Sequence, residues 1–300
     1  MSVKILAYSI SPEGVPLITF ELEYPRFILA ELNTHCMLAR NTASSRAIPI
    51  ETVIELIQSD PVMPAYWGKK NKGMSAVEEI EDIEAAKKVW LDLRDSAIKA
   101  AREFDKLQLH KQIANRILEP WVKAKTVLSG TEMANFFHLR YHKAAQPEFR
   151  VLAQDMYEAV SKASPTLLQY GEWHLPYVDS YRCEDGRLHY FVDDEEVSLQ
   201  QAQRVSASCC AQVSYRKLDE SADKADKIFS TLIETSPVHA SPVEHQATPI
   251  NPNGNSLEGI THMDKNGMLW SAKFRGWIQF RKLIENESVP GFYIDIPANS

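Results

Sequence analysis

Cysteine and glycine are scarce in this sequence. Its 300 residues include four cysteines and eleven glycines. No two cysteines form a CxxC pair, which argues against a zinc ribbon and against a thioredoxin-type site. We therefore expect free thiols in a reducing compartment. No GxxxxGK[ST] or GxGxxG segment occurs either, so neither a P-loop nor a Rossmann dinucleotide site is predicted.

Long apolar runs and an excess of basic residues are also missing. No stretch approaches the roughly 18 consecutive apolar residues that a membrane span needs. The N-terminal segment lacks the apolar core and the cleavage site of a secretion signal. The net charge of −7 argues against duplex binding, because neutralising phosphates requires a basic surface. We expect a cytoplasmic protein that binds neither membranes nor nucleic acid.

The periodicity of apolar residues predicts an α+β fold that is rich in helices and has a small, mostly antiparallel sheet. We expect a single domain over 1–300, with a small hairpin insertion near 176–197 that turns at Asp185-Gly186. A loop rich in His, Pro and Asn is predicted over 236–255. The predicted strands are 3–9 and 17–23, and the predicted helices are 25–40, 50–58, 75–106, 109–142, 148–163, 198–216, 219–235 and 268–284.

A first polar segment runs from Thr34 to Arg46, directly after an apolar stretch, and ends in polar turn residues. A guanidinium offers a planar fork that suits phosphate, and hydroxyls at a turn add donors. The segment indicates an anion site. The alternative is a helix exit with ordinary capping.

Two further polar segments follow. Asn135, His138 and Arg140 lie within two helical turns among aromatic residues, and the alternative to a ligand site there is a solvated helix stripe. The run from His239 to His245 holds two imidazoles and a carboxylate, but its spacing matches no zinc motif. We therefore predict no metal site there.

Together the three segments resemble the flavin-dependent thymidylate synthases. That family carries an Arg-His-Arg motif continuing to Asn-Glu, Ser and Arg, and the stretch ITFELEYPRFILAELNTHCMLARNTASSRA follows this pattern without a gap. Later in its sequence the family has an Asn, an Arg five residues after it, and then Ala-Gln-x-Glu-hydrophobic-Arg. In this chain the matching residues are Asn135, Arg140 and the run AQPEFR. The loop HASPVEH matches the family's His-x-Ser/Thr-Pro-x-Glu-His. In the family this loop precedes the first motif, so its later position here implies a circular permutation.

The resemblance implies a flavin- and folate-dependent transferase that adds a one-carbon group to C5 of dUMP, and that assembles as a homo-oligomer, a tetramer. Its cofactors are FAD, NADPH and 5,10-methylenetetrahydrofolate. Arg140 is implied as the catalytic residue that polarises the pyrimidine. The implied substrate-binding residues are Glu31, Ser44, Ser45, Arg46 and Arg140, and the implied flavin-binding residues are His35, Asn41, Asn135, His239, Ser241 and Glu244.

The sequence departs from the family at two arginines, which Thr34 and Cys36 replace. Candidate replacements are Arg40 and the basic residues of the predicted C-terminal helix, namely Arg275, Arg281 and Lys282. Thr42 stands where the family has Glu. Two alternatives stay open: a pyrimidine nucleotide hydroxymethylase or deoxycytidylate-modifying enzyme, and a catalytically silent homologue that binds nucleotide.

Overall fold

The computed structural model describes residues 1–73, 75–214 and 218–288, and its helices and small antiparallel sheets confirm the α+β class. The helices of this part are α1 (Leu29–Asn33), α2 (Ile50–Ser59), α3 (Ile83–Lys106), α4 (Lys111–Ala114), α5 (Met133–Arg140), α6 (Pro147–Lys162), α7 (Leu199–Ala211) and α8 (Ala222–Leu232). The strands are β1 (Ser2–Ile10), β2 (Pro16–Pro25), β3 (Ala39–Thr42), β4 (Lys123–Gly130), β5 (Thr166–Leu167), β6 (Asp179–Arg182), β7 (Leu188–Val192), β8 (Glu195–Val197), β9 (Ala247–Pro249), β10 (His262–Met263), β11 (Leu269–Ser271), β12 (Phe274–Arg275) and β13 (Trp277–Gln279).

A five-stranded sheet in the order β3-β4-β2-β1-β5 forms the centre of the fold. All neighbours in it are antiparallel except β1 and β5. The predicted strands 3–9 and 17–23 are confirmed as β1 and β2. Since β2 lies between two strands, most of its side chains are buried. Helix α6 packs on β1 and β2, so the sheet and this helix enclose the core on which the candidate site rests.

Three predicted helices are wrong in part or in whole. The helix over 25–40 ends at Asn33, and the following segment becomes the edge strand β3. The helix over 109–142 is interrupted by β4, which is buried because it pairs with β2 on one side and β3 on the other. The long helix begins at Ile83 rather than at 75, because the Asp82 side chain accepts from the Ala85 N–H at 2.8 Å and so caps it there.

The predicted helix over 268–284 is also wrong, because β11, β12, β13 and a 3-10 helix occupy this range. Gly276 adopts a left-handed φ of +71°, and a Cβ there would lie 3.1 Å from Val15 Cγ2. Trp277 is fully buried, and its indole N–H donates to the Val15 carbonyl at 3.1 Å. The alternation of aromatic and basic residues that suggests a helix therefore belongs to short strands.

The remaining predicted elements agree with the structure more closely. Helices 50–58 and 148–163 are confirmed as α2 and α6. The predicted hairpin is β6 and β7, to which β8 adds a third strand. The predicted helices 198–216 and 219–235 are shorter, as α7 and α8, and 215–217 lie outside the described residues. Among the described helices, none has both the length and the apolar character required to cross a membrane.

A buried carboxylate attaches the loop before α3 to the start of α6. Glu148 is 4% exposed. Its two oxygens accept hydrogen bonds from the Ala65 N–H at 2.8 Å and the Gln146 side-chain amide at 2.9 Å. This carboxylate therefore joins the loop before α3 to the first turn of α6.

Glu148→Ala is expected to lower the free energy of unfolding by about 1.5–3 kcal/mol, because it removes the charge-assisted hydrogen bonds that a buried carboxylate accepts from the Ala65 N–H and the Gln146 amide. Urea denaturation measures this. Glu158→Ala on the same helix is the control, since Glu158 is exposed and its ion pair with Lys162 is 3.9 Å long; a change within about 0.5 kcal/mol is expected there. Equal losses in the two variants would contradict the assigned role.

Candidate functional site

Arg140 and His35 form the centre of the candidate site. Arg140 is the last residue of α5, and His35 follows the end of α1. Arg140 Nε donates to His35 Nε2 at 2.7 Å. The imidazole packs edge-on against Phe136, with ring centroids 5.0 Å apart, and the guanidinium lies 5.0 Å from the ring centroid of Phe149. Two aromatic rings therefore fix both polar groups in place.

The contact determines the protonation state of His35. A guanidinium can only donate, so His35 Nε2 must be an acceptor and the ring is neutral, with its proton on Nδ1. Partial burial, and then the charges of Arg140 and Arg40, lower the pKa of His35. Within the described part of the chain, the outer nitrogens of Arg140 make only a long contact of 3.5 Å to Thr34 Oγ1. They remain available to an acceptor on a ligand.

The basic residues expected to replace the missing arginines are engaged elsewhere. The outer nitrogens of Arg40 donate to the carbonyls of Asn33 at 3.1 Å and His35 at 2.8 Å, which closes the end of α1. Arg275 pairs with Glu132 at 2.7 Å. Ion pairs with carboxylates also engage Arg281 and Lys282. Each of these cations therefore already has a protein partner.

Residues 44–46 separate into an inward and an outward part. Ser45 is buried, and its hydroxyl donates to Glu119 at 2.8 Å. Its carbonyl accepts from the Asn115 amide at 2.7 Å. Arg46 is exposed and forms no ion pair among the described residues. The guanidinium of Arg46 is therefore open to an anion, whereas the Ser45 hydroxyl already has a protein acceptor.

The third polar segment packs against the first, although they lie far apart in sequence. A 3-10 helix, Ser241–Glu244, lies against β3. Glu244 is buried and pairs with Lys273 at 3.1 Å and with Arg281. His239 and Ser241 are exposed on the same turn. The structure thus brings this loop beside the strand that carries Asn41, whose amide donates to the Cys210 carbonyl at 3.3 Å.

A chain of buried, hydrogen-bonded side chains connects β1, β2 and β4 with two histidines. Ser9 Oγ lies 2.8 Å from His174 Nδ1, and His174 Nε2 lies 2.8 Å from Thr19 Oγ1. Thr19 Oγ1 lies 2.6 Å from Ser129 Oγ, which lies 2.8 Å from His245 Nδ1. Burial lowers the pKa of His174 to about 3, with a smaller effect from His245. Burial and then the Lys273 charge lower the pKa of His245 to about 3, so both rings are neutral.

Glu31 and Asn135 are carried by the two short helices, α1 and α5, that also lead to His35 and Arg140. Glu31 lies in α1, and its Oε2 is buried with no hydrogen-bond partner in the described part of the chain. Asn135 is exposed, one and a half turns before Arg140 in α5.

The structure therefore brings together His35 and Arg140 at the end of α1, and places the 239–245 loop against β3. The chemistry available at the end of α1 is one guanidinium, with outer nitrogens that make only a long contact among the described residues, and one neutral imidazole. Sequence reasoning did not identify the buried histidine His174 or the Glu132–Arg275 pair. The signal for His174 is a lone imidazole between the apolar Trp173 and Leu175, which by itself is too common to indicate a role.

A family described as thymidylate synthase complementing protein matches residues 11–166, which is more than half of the chain. The match contains the Thr34–Arg46 segment and the helix that ends at Arg140, and it stops before the 239–245 loop. No curated protein matches the chain.

Proposed function

Because the chain belongs to the family of thymidylate synthase complementing proteins, we propose that it is a flavin- and folate-dependent transferase that methylates C5 of dUMP to form dTMP. Membership supports a thymidylate synthase-like function in dTMP biosynthesis. The contact between Arg140 and His35 carries the finer proposal, because it fixes beside a neutral imidazole a guanidinium whose outer nitrogens make only a long contact among the described residues.

Arg140 is proposed to bind the pyrimidine and to polarise it. Attack on the one-carbon donor from C5 requires negative charge to develop on the ring carbonyls. A preorganised cation next to such an oxygen stabilises this charge without reorganising at the moment of reaction. The neighbouring His35 and Phe149 hold the guanidinium in one orientation, so Arg140 meets this requirement geometrically.

Arg46 is proposed to hold the nucleotide phosphate, together with Ser44 and Ser45. Arg46 lies in a 3-10 helix that follows β3 and is exposed. A planar fork with five N–H donors suits a phosphate better than a point charge does. The Ser45 hydroxyl contributes only if it turns away from Glu119, so we assign it the weakest part of this contact.

The residues proposed for the flavin fit such a ligand in part. His239, Ser241 and Asn135 present exposed polar groups, and Asn41 lies on the strand beside the loop that carries His239 and Ser241. Glu244 is neutralised by Lys273 and Arg281, so it positions the loop and adds no unpaired charge beside the flavin. When bound, FAD supplies the hydride, NADPH replenishes it, and 5,10-methylenetetrahydrofolate supplies the carbon.

A homotetramer is proposed because the candidate site is open on one side in a single chain. Apolar side chains around Arg140 are exposed: Leu139 by 48%, Tyr141 by 46% and Met37 by 43%. Covering them with a second copy buries apolar surface and encloses the site. The 239–245 loop, lying on β3 after some two hundred intervening residues, also supports the proposed circular permutation.

Purified protein is expected to bind FAD, and Asn135→Ala is expected to weaken binding about fivefold to tenfold, because it removes one neutral hydrogen bond. Quenching of flavin fluorescence measures the affinity. Gln112→Ala is the control, since this exposed amide lies on α4 and its loss should leave the affinity unchanged. A colourless protein that causes no fluorescence change on titration with FAD would remove the cofactor from the proposal.

A further inference from the structure

The turn over residues 43–48 joins β3 to α2 and is held by a buried amide. The Asn115 side-chain nitrogen donates to the carbonyls of Ser45 at 2.7 Å and Ile48 at 2.9 Å. Asn115 is 1% exposed, and its Oδ1 has no hydrogen-bond partner among the described residues. A buried oxygen without a donor costs stability, so the contribution of this side chain lies in its two bonds to the turn.

The core of the fold fixes the position of Asn115. It lies in the 3-10 helix Asn115–Trp121, which precedes β4. Side chains three residues apart are eclipsed in such a helix, and Asn115 therefore shares one row with the buried Leu118 and Trp121. Trp121 packs against Trp90 of α3, with ring centroids 5.5 Å apart. The donor to the turn is thus mounted on a packed core and not on a solvent-exposed side chain.

The two carbonyls that flank Arg46 in sequence are both held from outside the turn. The Ser45 carbonyl, before Arg46, accepts from Asn115. The Ala47 carbonyl, after Arg46, accepts from Lys111 Nζ at 3.0 Å. Lys111 begins α4, and Asn115 follows the last residue of that helix. The backbone that carries the Arg46 guanidinium is therefore fixed before a ligand binds, and a preorganised group loses less conformational freedom on binding.

We propose that Asn115 is a positioning residue for the anion site at Arg46, and that Lys111 assists it on the other side of Arg46. This inference rests on the proposed role of Arg46 in holding the nucleotide phosphate. Asn115 is buried, so it acts through the backbone of the turn and not by touching the ligand. Its removal should weaken binding of the phosphate and leave binding of the nucleoside unchanged.

The test compares dUMP with deoxyuridine, which differ only in the phosphate, by calorimetric titration of the full-length protein. The ratio of the two affinities isolates the phosphate contribution, whereas a general loss of structure would weaken both ligands alike. Asn115→Ala is expected to lower the ratio about tenfold and Lys111→Met about threefold. Gln212→Ala is the control and should keep the wild-type ratio, because this buried amide holds the Asp219 carbonyl, at 2.8 Å, in a different loop.

Arg46→Ala supplies the second arm of the test. Without Arg46 there is no guanidinium left to position, so adding Asn115→Ala should not lower the ratio further. If Arg46→Ala keeps the wild-type ratio, or the wild type binds both ligands equally, the phosphate role of Arg46 is wrong and the inference falls with it. If Arg46→Ala lowers the ratio but Asn115→Ala and Lys111→Met do not, or if the effects of Arg46→Ala and Asn115→Ala add fully, only the positioning role is overturned. Lys111→Met, at a partly exposed position, decides if Asn115→Ala does not fold.

Discussion

Product formation in a single turnover is expected to slow by on the order of 10²–10³ in the Arg140→Ala variant, the usual cost of losing one preorganised charge stabiliser. The affinity for FAD should change little, because Arg140 is proposed to contact the pyrimidine and not the flavin. Arg140→Lys should not restore the rate, since an ammonium group cannot keep both the contact to His35 and a second donor on the ring. Rapid-quench measurement with saturating nucleotide and folate gives the rate.

Two comparisons separate catalysis from structure in this experiment. Arg46→Ala is expected to raise the nucleotide concentration needed for half-saturation and to leave the saturated rate nearly unchanged. The pKa of His35 should rise toward its usual value in Arg140→Ala, because the Arg140 charge that lowers it is gone, and proton NMR follows this titration. A wild-type rate in Arg140→Ala, with unfolding free energy altered by less than about 0.5 kcal/mol, would indicate that Arg140 is an ordinary helix residue and would contradict its proposed catalytic role.

Acid is expected to destabilise the fold strongly through the buried histidines. The pKa values of His174 and His245 fall from the usual 6.5 to about 3 in the folded chain. Above pH 6.5 both rings are neutral whether the chain is folded or unfolded, so their full contribution is present. As the pH falls from about 6.5 to about 3, only the unfolded chain takes up the protons, and stability decreases by about 1.4 kcal/mol per pH unit for each histidine.

Urea denaturation between pH 7 and pH 4.5 measures this decrease. His174→Asn is expected to be less stable than the wild type at pH 7, because it breaks the contacts to Ser9 and Thr19, yet to lose about 1.4 kcal/mol less per pH unit on acidification. His138→Asn, at an exposed position, controls for removal of a histidine. Identical pH slopes in the wild type and His174→Asn would contradict burial of a neutral ring at this position.

The elements predicted correctly from the sequence are those whose pattern is local. Alternation of apolar and polar residues suffices for β1 and β2, and amphipathic spacing suffices for α2 and α6. Strand β4 was missed because its buried run, with Thr126, Val127 and Leu128, is set by strands on both sides. Helix and strand periods cannot be distinguished over so few residues. Tertiary pairing likewise decides the strands around Trp277.

The sequence predicts which residues belong to the candidate site, but it does not predict which of them are in contact. Resemblance to a family identifies His35 and Arg140, but 105 positions separate them, and only the packed core shows that they touch. The same holds for Ser45: its sequence position suggests a phosphate ligand, whereas the fold turns its hydroxyl toward Glu119. Residue type indicates what a side chain can bind, and packing determines which partner it has.

The most direct test of the central claim is formation of dTMP from dUMP by the purified protein, with FAD, NADPH and 5,10-methylenetetrahydrofolate present, followed by chromatographic identification of the nucleotide. Our account predicts dTMP in the complete mixture and none when any one of the three cofactors is omitted from protein stripped of bound flavin. The account would be contradicted if no dTMP forms although NADPH reduces the bound flavin, and the flavin then reoxidises while dUMP stays unchanged. Conversion of dCMP in place of dUMP would also contradict it.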